Sequence, residues 1–460
     1  MSGSSYRPGV LVLAAGKGTR MHSEKPKVLQ RMLEEPMLHF VLEALAPLAA
    51  PERTWTVIGH GADMVRAAVG EGRTRFIEQR EQLGTGHALA TAWEELRAEN
   101  LSHLLVINGD TPLIATETLR RFMDESVSSN SDIAFITLTP GDPAAFGRVL
   151  RTGGTIAAIV EAKDYDESLH GLCSGEINAG LYCIRTAVLD SLLPRLGNAN
   201  KSGEFYITDL VEFAVADKLS VLGFEAGDDL NLLGVNTPAE LLAAEEGARR
   251  RIVRRWLDAG VLIHAPDLAR IGPRVILEPG AELTAPIELY GATRIHAGAR
   301  LDSHSRLTDS TAMPGALIRS FCHIEEAVIG PDSIVGPFSR LRPGAVLDEG
   351  AHLGSFVEMK KSRLRKGAKA NHLSYIGDTD VGERVNIGAG VITCNYDGVN
   401  KHQTTIGDDA FIGSNVALVA PVTVGAGSLV GAGSVITKNV EPNTLAIGRA
   451  RQTGLPFRKK

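Results

Sequence analysis

Residues 406–436 read IGDDAFIGSNVALVAPVTVGAGSLVGAGSVI, and an aliphatic side chain returns at every sixth position: Ile406, Ile412, Leu418, Val424, Val430 and Ile436. An α-helix repeats near 3.6 residues and a strand at 2, so neither produces this ladder. The period belongs to a β-helix, in which three short strands make one triangular coil and the sixth-position side chains stack inside it. Working outward, the same spacing runs through Ile271, Leu277, Leu283, Leu289, Ile295, Leu301 and Leu307, and again through Ile329, Val335, Leu341, Leu347, Leu353 and Met359, often followed by Gly. Residues 261–460 are therefore expected to form a β-helix of hexapeptide repeats. Residues 393–405 interrupt the ladder and are expected to loop out of the coil, where function concentrates. The uncharged run 411–437 is long enough to cross a bilayer, but five glycines, Pro421 and the sixth-position pattern mark it as part of the coil.

The whole chain has 460 residues, enough for two to four domains at roughly 100–200 residues each. Its 44% hydrophobic and 22% charged residues predict a folded globular protein. Lys+Arg 48 against Asp+Glu 54 gives a net charge of -6, which argues against nucleic acid and anionic membrane as partners and favours small-molecule chemistry. The 49 Gly and the 5% aromatic content fit a turn-rich repeat with an aliphatic interior. Cys173, Cys183, Cys322 and Cys394 lie far apart with no C-x-x-C pair, so neither a zinc knuckle nor a disulfide framework is indicated. The N-terminal MSGSSYRPG lacks the arrangement of a signal peptide, and a reducing cytoplasm is expected.

From Pro8 to Asn236 aliphatic runs alternate with helical stretches, the pattern of βαβ units around a mostly parallel sheet, whose ligands bind beyond the C-terminal strand ends. Residues 1–236 are thus expected to be one Rossmann-like domain. Thr237-Pro238-Ala239-Glu240 is a capping box with Pro at the first helical position, predicting a linker helix over 237–260. Arg249, Arg250, Arg251, Arg254 and Arg255 on it read as a solvated helix face rather than a site for an anionic partner.

The strand Val10–Leu13 runs into LAAGKGTRM (13–21), with Lys25-Pro26-Lys27 close behind. Glycines let backbone amides approach phosphates, and Lys17, Arg20 and Lys27 can neutralise them. Met21 stands where a dinucleotide fingerprint needs its third glycine, and the P-loop pattern also fails. Taken whole, LAAGKGTRM with KPKVL resembles the signature of sugar-nucleotide pyrophosphorylases. The resemblance implies that Leu13, Ala14, Ala15, Gly16, Lys27, Gln79, Gln82, Gly84 and Thr85 hold UTP, the glutamine amides matching the donors and acceptors of a uracil edge. Leu104–Asn108 reads as a buried strand delivering Asp110, which with Asn236 would bind Mg2+ through hard oxygen ligands. Gly147, Glu161 and Asn178 would hold the sugar phosphate. Phe146 departs from the family's usual Tyr, so any contact by that hydroxyl is absent. Arg20 and Lys27 would supply the charge that assists displacement at the α-phosphorus.

The coil carries Glu358-Met359-Lys360-Lys361, Asn371 to Asp378, Asn386 to Gly390 and Cys394 to Gly398. Together with the N-terminal signature, these resemble the bifunctional bacterial family that joins glucosamine-1-phosphate N-acetyltransferase to N-acetylglucosamine-1-phosphate uridyltransferase, over essentially the entire chain. The resemblance implies a left-handed parallel β-helix, acetyl-CoA and UTP as co-substrates, glucosamine 1-phosphate and N-acetylglucosamine 1-phosphate as the sugars, and a homotrimer. His372 would be the base of acetyl transfer, its side chain being the one whose ordinary pKa suits proton removal near neutrality. Arg342 and Lys360 follow Leu341 and Met359, three hexads apart, and so should stack on one face as an anion site. Tyr375, Asn386 and Asn395 would orient the sugar and its amine. Ala389, Asn395, Tyr396, Ser414, Ala432 and Arg449 would meet acetyl-CoA. Asn371 departs from the Gly of relatives. Two other readings compete: a pyrophosphorylase whose coil only assembles or regulates, distinguished by acetyl-CoA consumption, and a β-helical metal hydratase using His352, His372 and His402, distinguished by metal analysis.

Overall fold

In the computed structural model, which describes residues 6–143 and 145–456, the strand Pro8–Leu13 is buried on both faces. Val10 and Val12 belong to one core cluster, Leu11 to another on the opposite side. The same alternation recurs in the neighbouring strand His103–Asn108, where Leu105 and Ile107 face the first cluster and Leu104 and Val106 the second. Near-continuous aliphatic strands of this kind are what a sheet covered by helices on both faces requires. The path through the sheet runs Val221–Glu225, Ile133–Leu138, Ile177–Arg185, His103–Asn108, Pro8–Leu13, Thr54–Ile58 and Arg75–Glu78. Ile177–Arg185 is antiparallel to both neighbours; the other pairs along this path are parallel. The hairpin Arg148–Thr152 with Thr155–Val160 attaches beside Ile177.

The chain divides into two compact units, Met1–Ala248 and Arg249–Lys460, and the division falls inside the helix Pro238–Asp258. Thr237 Oγ1 accepts from Glu240 N at 3.2 Å, as its place in a capping box requires. The reciprocal bond is displaced by one residue: Glu240 Oε2 accepts from the Asn236 backbone N–H at 2.6 Å, so the helix start also holds Asn236. Arg249 departs from a solvated helix face. It is 5% exposed, and its Nη1 donates to the carbonyls of Pro266 and Ala269 at 2.9 and 3.3 Å.

The second unit is a left-handed parallel β-helix built from three parallel sheets of 11, 10 and 9 strands, beginning at Leu262–His264. Ile271, Leu289, Leu307, Leu341, Met359, Ile412 and Val430 are buried in its interior, each paired with the equivalent side chain one coil away. Glycine follows many of these positions because coils approach closely there: a Cβ on Gly413 would come within 2.6 Å of Ala432 N. Leu364 pairs with Val381, 17 residues on, whereas Val381 pairs with Ile406, 25 on. The eight additional residues, 25 minus 17, leave the coil between Cys394 and Thr404, with Tyr396 and Lys401 bridged across the excursion. Cys173, Cys183, Cys322 and Cys394 are all free thiols. No helix among the described residues is long and apolar enough to cross a membrane. Of the N-terminal MSGSSYRPG, residues 1–5 lie outside the described residues.

Candidate active sites

The strands Pro8–Leu13 and His103–Asn108 end side by side, and Gly109 N donates to Leu13 O at 2.8 Å where they stop. Beyond them open two adjoining cavities of about 600 and about 390 Å3. The first is lined by Leu13, Ala14, Ala15, Gly16, Lys27, Gln79, Gln82, Gly84 and Thr85, which brings together every residue expected to hold the nucleotide. The second is lined by Arg20, Gly147, Glu161, Asn178 and Asn236. Asp110, Leu13, Thr85 and Asn108 line both, so Asp110 stands at the junction. Gly18 turns the phosphate loop in the left-handed region, at φ 63°, and a Cβ there would sit 2.5 Å from Lys27 Cβ. The missing side chain lets Lys27 pass beneath the loop.

At the junction the Lys27 ammonium pairs with Asp110 Oδ2 and donates to Asn236 Oδ1 at 3.0 Å, and Arg20 Nη2 donates to that same oxygen at 2.8 Å. Asn236 is fixed further by its Nδ2, which donates to Gly234 O at 2.9 Å. Asp110 Oδ1 is buried and has no hydrogen-bond partner. An orphaned carboxylate oxygen beside an amide oxygen, both within reach of one ammonium, is a hard oxygen donor set that fits a divalent cation shared with phosphates.

The glutamines meet the first cavity in a particular way. Gln79 Nε2 donates to Gly84 O at 3.2 Å and contacts His87 Nδ1 at 2.8 Å, while Gln82 Nε2 donates to Gln79 O at 2.9 Å. Their amide nitrogens therefore brace the loop. Gly84 has φ 113°, and a Cβ on it would lie 2.5 Å from Phe205 O. On the expectation that this loop holds UTP, Gly84→Ala should raise the KM for that nucleotide by roughly 10–100-fold, the equivalent of about 1–3 kcal/mol of backbone strain; initial-rate kinetics check it, and an unchanged KM contradicts it.

In the second cavity Asn178 is held by its Nδ2 on Tyr182 OH at 2.6 Å and by Gly180 N on its Oδ1 at 3.0 Å. Glu161 Oε1 accepts from Thr208 Oγ1 at 3.2 Å. Burial pushes the Glu161 carboxyl above the usual range, and the neighbouring Asp209, Asp164 and Glu204 charges push it the same way. Phe146 lines this cavity and packs against the core, consistent with a ring that offers no hydroxyl.

On the coil, Leu341 pairs with Met359, so Arg342 and Lys360 follow each other up one face, and Arg342 Nη1 donates to Glu358 Oε1 at 2.9 Å. Tyr375 stacks directly on Glu358. Gly377 comes next in the Lys360 column, and a Cβ there would strike Tyr375 OH at 2.5 Å and Asn395 Nδ2 at 2.8 Å. The neighbouring Lys401 holds the Lys360 ammonium below the usual lysine range, and Arg342 adds to the effect. Asn386 lies elsewhere: it pairs with Lys369 and Phe411 in a different sheet.

His372 is exposed at a corner of the coil. Ala370, Ile387, Ile412 and Val430 stack in register, so His372, Ala389, Ser414 and Ala432, each two residues further on, form one corner column. Asn415 N donates to Ala389 O and Gly433 N to Ser414 O, both at 2.8 Å, and Arg449 caps the column through Ala432 O. Tyr396 is exposed on the excursion, its OH donating to Gly398 O at 2.6 Å. His402, on the same excursion, is engaged by Asp397, and the described residues contain no group of three or more His, Cys, Asp or Glu side chains placed to hold a metal.

Residues 10–173 match the MobA-like NTP transferase domain family and residues 403–438 the bacterial transferase hexapeptide family. The bifunctional protein GlmU of Nitratidesulfovibrio vulgaris (strain Miyazaki F) is 60% identical over 451 residues, 98% of each chain. The chain belongs to the bifunctional GlmU family. The GlmU proteins of Oleidesulfovibrio alaskensis and Lawsonia intracellularis are 57% and 46% identical, covering 99% and 98% of each chain. As a member of this family, the chain is a bifunctional transferase of UDP-N-acetylglucosamine synthesis, with a nucleotidyltransferase N-terminus and a hexapeptide acetyltransferase C-terminus. Its nucleotidyltransferase activity needs a divalent metal, and its substrates are small molecules.

The reading of the sequence missed four residues that the geometry brings to these GlmU sites. Asn108 lies at the cavity junction, Thr208 bonds Glu161, Glu204 lines the nucleotide cavity, and Lys401 joins the coil cations. Asn108 was within sight, two residues before Asp110 on a strand already expected to carry a site. The other three sit on segments whose approach depends on the tertiary fold.

Proposed function

We propose that the two N-terminal cavities bind UTP and N-acetylglucosamine 1-phosphate, and that Mg2+ is held between them by Asp110 and Asn236. The orphaned, buried Asp110 Oδ1 at the cavity junction carries this reading. Bound there, the ion would neutralise charge on the phosphates. Gln79, Gln82 and the Gly84 backbone would read uracil, with Leu13, Ala14, Ala15, Gly16 and Thr85 enclosing the nucleotide. Gly147, Glu161 and Asn178 would orient the sugar so that its phosphate oxygen attacks the α-phosphorus as pyrophosphate leaves. Arg20 and Lys27 would stabilise the charge on the transferring group, so positioning and electrostatics supply the rate without a side-chain nucleophile.

On the coil, His372 would take a proton from the amine of glucosamine 1-phosphate, whose nitrogen attacks the thioester carbonyl of acetyl-CoA and expels the CoA thiolate. Arg342 and Lys360 would hold the sugar phosphate, with Tyr375, Asn386 and Asn395 orienting the sugar. The corner column of Ala389, Ser414 and Ala432 beneath Arg449 would run along acetyl-CoA, Arg449 meeting a phosphate with its planar fork; Asn395 and Tyr396 would contact the same co-substrate. Because Asn386 faces another sheet than Arg342 and Lys360, it would complete the site from a neighbouring subunit, which favours a homotrimer; Phe411, Leu429 and Leu445, exposed on the face bearing Asn386, suit such packing. A reaction that consumes UTP and acetyl-CoA would run in the cytoplasm. Domain limits of 1–236 and 261–460 about a linker helix at 237–260 accompany this reading.

Incubation with glucosamine 1-phosphate, acetyl-CoA, UTP and Mg2+, omitting one component at a time, tests it. UDP-N-acetylglucosamine should form only with all four, and free CoA should appear without UTP. Product formed without acetyl-CoA, or thiol release independent of the sugar, contradicts the reading. Light scattering at assay concentration should give three chains; an active monomer contradicts the trimer.

A further inference from the structure

The excursion from Cys394 to Thr404 receives little from the coil's interior, and Val399 at its tip is 83% exposed. It is nevertheless closed, and the closure runs through one carboxylate. Asp397 Oδ1 accepts from Val399 N at 2.8 Å and from Asn400 N at 2.6 Å, and its Oδ2 pairs with His402 Nε2 at 2.7 Å. His402 in turn donates its backbone N–H to Asn395 O at 2.8 Å, tying the far end of the turn to its base. At that base Asn395 Nδ2 donates to Asp378 Oδ2 at 2.5 Å.

Lys401 sits between these ties, and the base of the turn adjoins Lys360 because Asp378, which Asn395 engages, donates its backbone N–H to Lys360 O at 3.1 Å; Lys401, Arg342 and Lys361 all lower the pKa of the Lys360 ammonium. Like charges repel, and among the described residues neither Lys401 nor Lys360 has a carboxylate partner that would draw them together. A long, flexible lysine on an exposed turn would swing into solvent unless its backbone were held.

We propose that Asp397 is a positioning residue for acetyl transfer: by closing residues 395–402 into one turn, it presents the Lys401 ammonium to the phosphate that Arg342 and Lys360 bind. This rests on the assignment of that cation cluster to glucosamine 1-phosphate. Asp397 touches no reacting atom. Its effect passes through Lys401 and so falls on the sugar phosphate, because Asn395 keeps its bond to Asp378 Oδ2 and Tyr396 its bond to Gly398 O when the Asp397 carboxylate is removed.

Steady-state acetyl transfer by the full-length protein, varying each substrate in turn, tests this. Asp397→Ala should raise the KM for glucosamine 1-phosphate by roughly 10–100-fold, the worth of one charge-assisted contact. The KM for acetyl-CoA, the uridyltransferase rate and the melting temperature should stay unchanged. Asp397→Asn, which keeps an acceptor for both backbone N–H groups, should recover most of the affinity; His402→Ala, which breaks only the Oδ2 pair, should shift the same KM in the same direction but less. In a Lys401→Ala background, Asp397→Ala should add almost nothing, because coupled residues are not additive. Additive losses, equal rises in both KM values, or an unchanged sugar KM would overturn the proposal. If Lys401→Ala alone leaves the sugar KM unchanged, the assignment of the cluster has failed instead.

Discussion

His372→Ala should lower acetyl-transfer turnover by roughly 10²–10⁴, the usual worth of a positioned general base. The amine of glucosamine 1-phosphate arrives largely protonated near neutral pH and attacks only after losing that proton. His372 heads the corner column that continues through Ala389, Ser414 and Ala432, so its imidazole is placed where acetyl-CoA is expected to run. The phosphate contacts at Arg342 and Lys360 lie on another face and survive the substitution, so both KM values should stay within a few-fold while turnover falls. Uridyl transfer should be untouched, since it belongs to a compact unit with its own core. Near-normal turnover, or a loss seen only as raised KM, would assign the proton to another group.

Asp110→Ala should reduce uridyl transfer by roughly 10³-fold or more, comparable to the removal of a charge that stabilises a transferring phosphoryl group. Asp110 pairs with Lys27 and lines both cavities, and its Oδ1 is available for a cation. The variant should also lose metal-dependent protection against thermal unfolding of the N-terminal unit in the presence of UTP, a readout independent of turnover. Acetyl transfer should persist at the wild-type rate. Equal loss of both activities would show that the substitution damages the whole chain instead of one site.

Much of this was legible from local pattern. The sixth-position aliphatics from Ile271 to Ile436 are buried where the period placed them, because which side chains face the inside of a coil depends only on residues a few positions apart. Thr237 and Glu240 marked the helix start for the same reason, a cap being a contact within one turn. The nucleotide loop was readable because its glycines answer to the backbone itself: Gly18 at φ 63° and Gly84 at φ 113° adopt conformations that other residues resist.

Local pattern set the period, the helix cap and the strand that delivers Asp110, and it named the residues expected at both sites. Only the tertiary structure decided which outward side chains share a column. A coil here takes 16, 17, 18 or 25 residues, and each difference shifts every later position relative to those below it. That sum put Asn386 on a different sheet from Arg342, brought Lys401 to Lys360 from an excursion without hexads, and placed His372 at the head of a corner column. The fold also buried Arg249 against the Pro266 and Ala269 carbonyls. These contacts join residues distant in the chain, and their free energy depends on where whole elements come to rest, which no local period encodes.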